Sequence, residues 1–417
     1  KAMTTAMQSS IQPLKSKLKR MKKTFFLLAI LSFNMMLVQA QDNLVKTASA
    51  TQINKEDKAY RFTNIIDLST TPVENQGSSG TCWSYSTNSF LESEMIKNGK
   101  KPIHLSKIFH ARKQYEDKAY IYVRTNGAIQ WGDGGEAHDV LEMLTKYGAM
   151  PYEAYTGLLN GATRNSFGDM QAAIEPYLKS VINSKSGKVN PVWRQVLSNM
   201  LDAYLGKVPE TFTFEGKQYT PKSFAKDFVG INPNDYIEFI SQTNTPYYEK
   251  APMLASDNWS FQWLYNLPVD DFITLVDNSL KAGHTVAWGA DVSEPYFSWP
   301  NGVAIVPENA LSGEKLKREE IFKEVRKELK ITPEIRQQGL DNLTTTDDHG
   351  MHIVGLAKDQ NGTEYYMVKN SWGVDNDYKG FLYVSKEYVK YKTTTIMVNK
   401  KVVPSEIKNK LKVEKDF

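Results

Sequence analysis

Cysteine is nearly absent from this sequence, which contains a single one, Cys82, in 417 residues. One cysteine excludes an internal disulfide, and a chain of this length can bury a core large enough to fold without that link. Internal repeats and low-complexity linkers are also missing. The hydrophobic content of 41% and the charged content of 24% are typical of a soluble globular protein.

Long hydrophobic runs are missing as well. The main apolar run, Thr24 to Val38, has 15 residues and includes Asn34, which is short for a membrane span. Basic residues precede it and Val38-Gln39-Ala40 follows, a pattern typical of a secretory signal peptide cleaved before Gln41. We expect residues 1–40 to be a signal peptide with an upstream extension. The remaining chain would then be secreted or periplasmic and have no stable membrane anchor; an uncleaved anchor is the weaker alternative.

An excess of positive charge is missing once this leader is set aside. Residues 1–40 carry seven Lys and Arg and no acidic residue, so the formal net charge of +4 belongs to the leader. The remaining 44 basic and 47 acidic residues give a net charge near −3. A weakly acidic protein gains little from attraction to phosphates, so we expect no nucleic-acid partner.

The hydrophobic patterns predict helices first and strands later. Helical periodicity is present over residues 81–98, 104–123 and 137–148, and residues 158–280 are mostly typical of helices with loops. Residues rich in β-branched and aromatic side chains predict strands from residue 284 onward, and the charged segment 313–330 is predicted to be a helix. This order predicts an α+β fold with an antiparallel sheet. Residues 41–60 are polar, and we expect them to be loosely held.

The neighbours of Cys82 distinguish it from an ordinary core cysteine. It lies in the segment NQGSSGTCWSYS, at the start of the helix predicted over residues 81–98. A helix N-terminus and a nearby imidazolium both favour the thiolate, which is the nucleophilic form. Gly77 and Gly80 allow a tight bend before it. The side-chain amide of Gln76 could join the Cys82 backbone N–H in holding a developing oxyanion.

This segment resembles the signature of papain-type cysteine peptidases, in which a Gln and a glycine-rich loop precede the catalytic Cys and a Trp. It departs from that signature at Ser79, where the family usually has a cysteine, and at Thr81, where it has a small residue. These departures, in a chain with one cysteine, resemble the bleomycin hydrolase and aminopeptidase C branch. The resemblance implies that Cys82 is the nucleophile and that Trp83 supports it.

Two histidines compete for the role of catalytic base in the segment TDDHGMHIVGLA. In the papain-like pattern the catalytic histidine is followed, six residues on, by a glycine that ends a strand; His349 and Gly355 have that spacing. The resemblance therefore implies His349 as general base and acid, with Asp348 as its supporting neighbour. His352 lies three residues further on and should face the other side of the strand, packed in the core.

The third segment with catalytic potential is VKNSWG. The Asn370 side chain can accept a hydrogen bond from an imidazole and fix its tautomer and orientation, which is the third role of a catalytic triad. Trp372, two residues later, would shield that bond from water. The gaps from Cys82 to His349 and Asn370 exceed the roughly 130–150 residues of papain relatives by about 120. Residues 158–280 can supply this excess, as the helical insertion of bleomycin hydrolase relatives does.

The resemblance implies a papain-like fold with a helical subdomain, an antiparallel β-sheet or barrel subdomain, and a helical insertion, over residues 41–417. It also implies that Gly134 and Gly135 hydrogen-bond an extended substrate, with Glu136 near the second specificity pocket. The expected function is peptide hydrolysis without a metal or organic cofactor, by an aminopeptidase whose C-terminus, Phe417, meets the substrate amine. An endopeptidase with an open cleft, an acyl transferase and a silent binding protein are the alternatives. The oligomeric state stays open, although relatives form homo-oligomers.

Overall fold

The computed structural model describes residues 40–50, 59–313 and 317–411. The expected signal peptide lies outside these residues except for Ala40, and so does the chain end with Phe417, whose expected contact with the substrate amine is therefore not described. Within the described residues, no helix combines the length and the apolar character that crossing a bilayer requires.

Helices form the first half of the described chain. They are α1 (Ala40–Ala48), α2 (Cys82–Lys97), α3 (Lys107–Arg124), α4 (Ala137–Tyr147), α5 (Gly168–Ile182) and α6 (Trp193–Leu205). Their ends follow sequence signals. Ser106 caps α3 by accepting a hydrogen bond from the Phe109 N–H at 3.1 Å. Gly99 follows α2 with a φ of +77°, the left-handed conformation in which glycine commonly ends helices.

A mixed sheet of eleven strands forms the other half. In chain order its strands are β1 (Phe62–Asp67), β4 (Tyr236–Ile240), β5 (Lys250–Pro252), β6 (Trp263–Asn266), β7 (Val286–Ala290), β8 (Phe297–Ser298), β9 (Val303–Ala304), β10 (His349–Asp359), β11 (Glu364–Lys369), β12 (Phe381–Ser385) and β13 (Thr393–Asn399). In space they lie in the order β5-β6-β4-β13-β7-β10-β11-β12-β9-β8, and β1 also pairs with β10. A separate hairpin joins β2 (Phe212–Phe214) and β3 (Lys217–Tyr219). The remaining helices are α7 (Pro221–Phe224), α8 (Val269–Lys281), α9 (Arg318–Ile321), α10 (Pro333–Asp341), α11 (Lys386–Lys392) and α12 (Ser405–Lys410).

Two large hydrophobic cores correspond to these halves. One lies among α2 to α6 and includes Trp83, Phe90 and Leu201, while the other lies on the sheet under α8 and α11 and includes Trp288 and Tyr388. Strand β10 packs directly on α2, because a Cβ atom at Gly350 would be only 2.8 Å from Ser86 Oγ. The first turn of α2 and the start of β10 therefore meet between the two cores.

The α+β class is confirmed, but the sheet is not purely antiparallel as predicted, since β4–β6 and β9–β12 pair in parallel. Residues 158–280 contain α5, α6 and α8, yet they also supply three strands to the main sheet. The boundaries of the insertion stay a prediction.

Two local predictions were wrong. Among the described residues of the charged segment 313–330, the only helix is the four-residue α9. Near the end of the segment Glu328 forms a bridge with Pro307, and the Leu329 N–H bonds to the Val306 carbonyl instead of continuing a helix. Residues 41–60 are not all loose, since α1 is held where the Trp299 N–H donates to the Ala48 carbonyl at 3.0 Å.

Candidate active site

Cys82 is the first residue of α2 and lines a cleft of about 660 Å³ between the helices and the sheet. The opposite wall includes His349, the first residue of β10. The backbone N–H of Gly350, the next residue, acts on the Cys82 thiol and opposes the rise of its pKa. The structure therefore brings the cysteine and histidine segments together, as the sequence predicts.

The His349 ring is held on one side and free on the other. Its Nε2 atom lies 2.7 Å from Asn370 Oδ1, and because an amide oxygen can only accept, Nε2 carries the hydrogen. Among the described residues no group hydrogen-bonds to Nδ1, although this atom is buried. Trp372 covers the ring, with centroids 4.5 Å apart and planes at 28°. This arrangement leaves a lone pair on Nδ1 that can accept a proton.

Burial favours the neutral forms of both Cys82 and His349. It raises the pKa of the Cys82 thiol to about 12, assisted by the charges of Asp347 and Asp257 and opposed by the Gly350 N–H. Burial also lowers the pKa of His349 to about 4, against the hydrogen bond of Asn370. Burial and the charges of Asp347 and Asp257 thus oppose the thiolate that the helix N-terminus favours. The low pKa expected for Cys82 stays a prediction.

The supporting aspartate, Asp348, is fixed beside His349. Its carboxylate accepts hydrogen bonds from the Ser293 N–H at 3.1 Å and from the Thr346 hydroxyl at 2.8 Å. Burial opposes its ionisation, but hydrogen bonds from Asp291, Ser293 and Thr346 prevail and lower the pKa of Asp348. The resulting negative charge favours the protonated form of His349.

Gln76 connects the cysteine and asparagine loops but lies apart from the cleft wall. Its backbone N–H bonds to the Ser371 carbonyl at 2.9 Å, and its Oε1 accepts from the Ser371 hydroxyl at 2.6 Å. Its amide N–H donates to the Ser79 carbonyl at 2.7 Å, and the residue is fully buried. One amide hydrogen remains for an oxyanion, so this role stays a prediction.

The segment from Asp133 to Glu136 forms another part of the cleft wall. Trp83 Nε1 donates to the Asp133 carbonyl at 2.9 Å, and the Gly134 carbonyl accepts from Gln114 and Lys118, both at 2.9 Å. A Cβ atom at Gly135 would lie 2.9 Å from the Trp83 ring, so only glycine fits without displacement. Trp83 therefore fixes the segment for which substrate binding is predicted.

His352 occupies a different environment from His349. It is buried against α2, with Nδ1 3.0 Å from the Ser89 hydroxyl and its ring edge-on to Phe90. It pairs with Ala287 of β7, whereas His349 pairs with Ala290, so the two side chains face opposite sides of the sheet. Gly355 does not end the strand as expected; β10 continues to Asp359, and a register shift occurs where β10 pairs with β11.

The sequence did not single out four acidic residues that line the cleft, Asp42, Glu175, Asp257 and Asp347. Asp347 stands two residues before His349, where the run of acids in TDDH was a visible signal. Asp257 lies in the loop before β6, and Asp42 lies on α1 and accepts from the Ser78 hydroxyl at 2.8 Å. Nothing local in the sequence connects Asp257 or Asp42 with Cys82, since both come from distant parts of the chain.

One group of metal-ligating side chains is present among the described residues: Glu74, Glu92 and His104. The ammonium of Lys107 already contacts both glutamates, at 2.5 Å from Glu92. This buried lysine supplies the positive charge that a metal ion would bring, so the group is an internal ion-pair network.

A match to a family model shows which protein family the chain belongs to. The profile of the Peptidase C1-like family matches residues 103–416, which is more than half of the chain. The chain belongs to this family. The matched range contains His349 and Asn370 and begins after Cys82.

Relatives in the Peptidase C1-like family extend the match to the cysteine segment. Aminopeptidase C of Lactobacillus delbrueckii subsp. lactis is 24% identical over 415 residues, which cover 88% of each chain. Human bleomycin hydrolase is 23% identical over 405 residues, covering 83% of this chain and 84% of the relative. The resemblance to aminopeptidase C and bleomycin hydrolase is thereby confirmed.

A solved structure supports the fold. The crystal structure of PepW from Lactobacillus rhamnosis HN001 superposes with a TM-score of 0.68 at 21% identity, covering 92% of this chain and 94% of that one. The papain-like α+β fold predicted from the sequence is confirmed by this likeness.

Proposed function

We propose that this protein is a cysteine peptidase with Cys82, His349 and Asn370 as its catalytic residues. The observation that carries the proposal is the buried 2.7 Å bond from His349 to Asn370, with the free Nδ1 of His349 beside the cleft that Cys82 lines. A buried, oriented imidazole next to a thiol is what nucleophilic catalysis requires.

The reaction follows from this geometry. Cys82 Sγ attacks the scissile carbonyl carbon while its proton passes to His349 Nδ1. The Cys82 backbone N–H and the Gln76 amide stabilise the oxyanion, and protonated His349 then donates its proton to the departing amine. Water, activated by His349, hydrolyses the resulting thioester and frees the thiol. Asn370 holds the imidazole throughout, and Trp372 keeps water from that bond.

Peptides are the substrates that this family membership supports, and we propose cleavage next to a free N-terminus. The name of the relative aminopeptidase C supports that finer assignment. An endopeptidase mode is separated from it by comparing a peptide amide that has a free amine with its N-acetylated twin. Faster cleavage of the free-amine peptide is expected, and equal rates would contradict the aminopeptidase assignment.

Export is proposed separately from catalysis. The basic residues before the apolar run of residues 24–38 support a cleaved signal peptide. Sequencing the N-terminus of the protein from the extracytoplasmic fraction should return Gln41 as the first residue. Recovery of the full-length chain in the cytoplasm would contradict export.

The catalytic proposal is tested by three alanine variants assayed on a mixed peptide library. Cys82→Ala and His349→Ala should each lower kcat by several orders of magnitude, as loss of a triad member does. His352→Ala is the matched control, because it removes a buried imidazole from the same strand without touching the cleft. It should lower thermal stability and keep most of the activity per folded molecule. The opposite result for the two histidines would overturn the assignment.

A further inference from the structure

Three carboxyl groups gather on the cleft wall near the Cys82 thiol. Glu136 precedes α4, Asp347 precedes β10 by two residues, and Asp257 lies against Gly134, where a Cβ atom would overlap its carboxylate. All three line the same cleft as Cys82. Their charges act on one another, and those of Asp347 and Asp257 also act on Cys82. They are therefore close neighbours although they come from three distant segments.

The protein supplies little compensating charge to these three groups. Asp347 accepts a hydrogen bond from the Thr394 hydroxyl at 2.9 Å, and Asp257 is 4.0 Å from the Lys118 ammonium. That ammonium is already engaged, since it donates to the carbonyls of Gly132 and Gly134. No full ion pair with a basic side chain at hydrogen-bonding distance is formed by the three carboxyls within the part of the chain described.

Glu136 shows the lack of partners most clearly. The residue is only 4% exposed, yet its Oε1 atom receives no hydrogen bond from the N–H or hydroxyl groups of the described residues. Asp347 lies within hydrogen-bonding reach of it. Burial raises the pKa of Glu136 well above its usual range and that of Asp347 to about 6, since neither carboxylate is well solvated there. A buried carboxyl without a donor is destabilising unless a ligand compensates it.

The other charged groups of the cleft are satisfied within the protein. Asp133 accepts from the Gly80 N–H at 3.1 Å and from Tyr115, and Asp348 is bonded to Ser293. Glu175 pairs with Lys179 at 2.7 Å, so the basic side chain on this wall is neutralised. Asp42 likewise accepts from the Ser78 hydroxyl. Among the described acidic residues of the cleft wall, only Glu136 has a buried carboxylate oxygen without a hydrogen-bond donor.

We propose that Glu136, Asp257 and Asp347 form a recognition site for a positively charged group of the substrate, an ammonium or a guanidinium, beside the scissile bond. This inference rests on the proposed peptidase function, because that function places the reacting carbonyl at Cys82. The cation comes either from the free α-amine of the N-terminal residue or from a Lys or Arg side chain. It would supply the hydrogen-bond donor that Glu136 Oε1 lacks. It would also offset the negative field that Asp347 and Asp257 exert on the thiol.

The test uses four peptide amides that differ only in charge before the scissile bond. An Arg peptide and its citrulline twin, which has the same shape without charge, are each prepared with a free and with an acetylated N-terminus. Two comparisons are made with the wild-type protein: free against acetylated N-terminus, and Arg against citrulline. In at least one of them kcat/KM should be at least about tenfold higher for the peptide that carries the positive charge, as expected for a charge-assisted hydrogen bond. The pair that shows the difference identifies the α-amine or the side chain as the bound group. Equal rates for all four would overturn the proposal.

Variants then assign the effect to the three carboxyls. Asp347→Asn, Asp257→Asn and Glu136→Gln should each reduce the ratio of kcat/KM for the cationic peptide to kcat/KM for the neutral peptide. This ratio does not depend on the fraction of folded protein, because both values are measured on the same sample. Glu175→Gln is the matched control, since it removes a cleft-lining carboxylate that already has its own partner. It should leave the ratio unchanged. An unchanged ratio in all three test variants would also overturn the proposal.

Binding to an inactive variant separates this inference from the proposed function. If the wild-type protein cleaves none of the peptides, the peptidase proposal fails, and titration calorimetry with the Cys82→Ala variant still tests the site. The free-amine Arg peptide should bind more tightly than its acetylated citrulline twin, by about tenfold or more. Adding Asp347→Asn should abolish that difference. Equal binding of the two peptides to Cys82→Ala would contradict the cation site whatever the activity.

Discussion

The bond between His349 and Asn370 gives the sharpest quantitative prediction. Asn370→Ala leaves the Nε2–H of His349 buried with its 2.7 Å acceptor removed. Loss of a buried hydrogen-bond partner costs about 1–3 kcal/mol. If that loss falls on the orientation of the imidazole in the transition state, kcat should drop about tenfold to a hundredfold. KM should change little, because Asn370 is not among the residues that line the cleft.

The assay is steady-state hydrolysis of a peptide amide, corrected for the folded fraction by circular dichroism. Asn266→Ala is the matched control. Asn266 is also fully buried, and its amide donates to the carbonyls of Gln242 and Thr245 at 2.9 and 3.0 Å, far from His349. Asn266→Ala should lower the melting temperature at least as much and keep kcat per folded molecule. A folded Asn370→Ala variant with kcat within about twofold of the wild type would refute the orienting role.

Two further predictions concern the cleft wall and the pH dependence of stability. Gly135→Ala should lower kcat/KM and stability together, because its Cβ atom would lie 2.9 Å from the rigid Trp83 ring. Gly132→Ala is the control and should be nearly neutral, because a Cβ atom there would have no neighbour within 4 Å. Similar effects of the two substitutions would contradict the tight fit at Gly135. Burial opposes charge on His104, but hydrogen bonds to Glu74 and Glu92 prevail and raise its pKa to about 9. Its stabilising contribution is complete below pH 6.5 and is lost as the pH rises through 9. Urea unfolding from pH 6 to pH 10 should therefore show a steeper loss in the wild type than in His104→Gln, and parallel curves would contradict it.

Local sequence signals predicted the parts of the fold that local interactions determine. The helices predicted over residues 81–98 and 104–123 follow from apolar periodicity and correspond to α2 and α3. The strand that begins at His349 follows from its β-branched and aromatic residues. In each case propensity and tertiary packing act in the same direction.

Other features depend on contacts between distant segments and could not be predicted in this way. The charged segment 313–330 has helical composition, but residues 328–329 pair with the distant residues 306–307 instead of extending the helix. The raised pKa of Cys82 depends on burial and on Asp257, a residue brought in from another part of the chain. Sequence spacing carries no information about the burial of Cys82 or about the charge of Asp257 beside it. Spacing therefore predicted which residues belong to the site but not how their pKa values are shifted.

The central claim is that Cys82 forms a covalent thioester with the acyl part of the substrate. The most direct measurement is rapid acid quenching during turnover of an activated peptide ester, followed by intact-mass and fragment mass spectrometry. A transient mass increase equal to the acyl group is expected, located on Cys82 and absent from Cys82→Ala. Hydrolysis by the wild type without this adduct, with Cys82→Ala equally active, would contradict it.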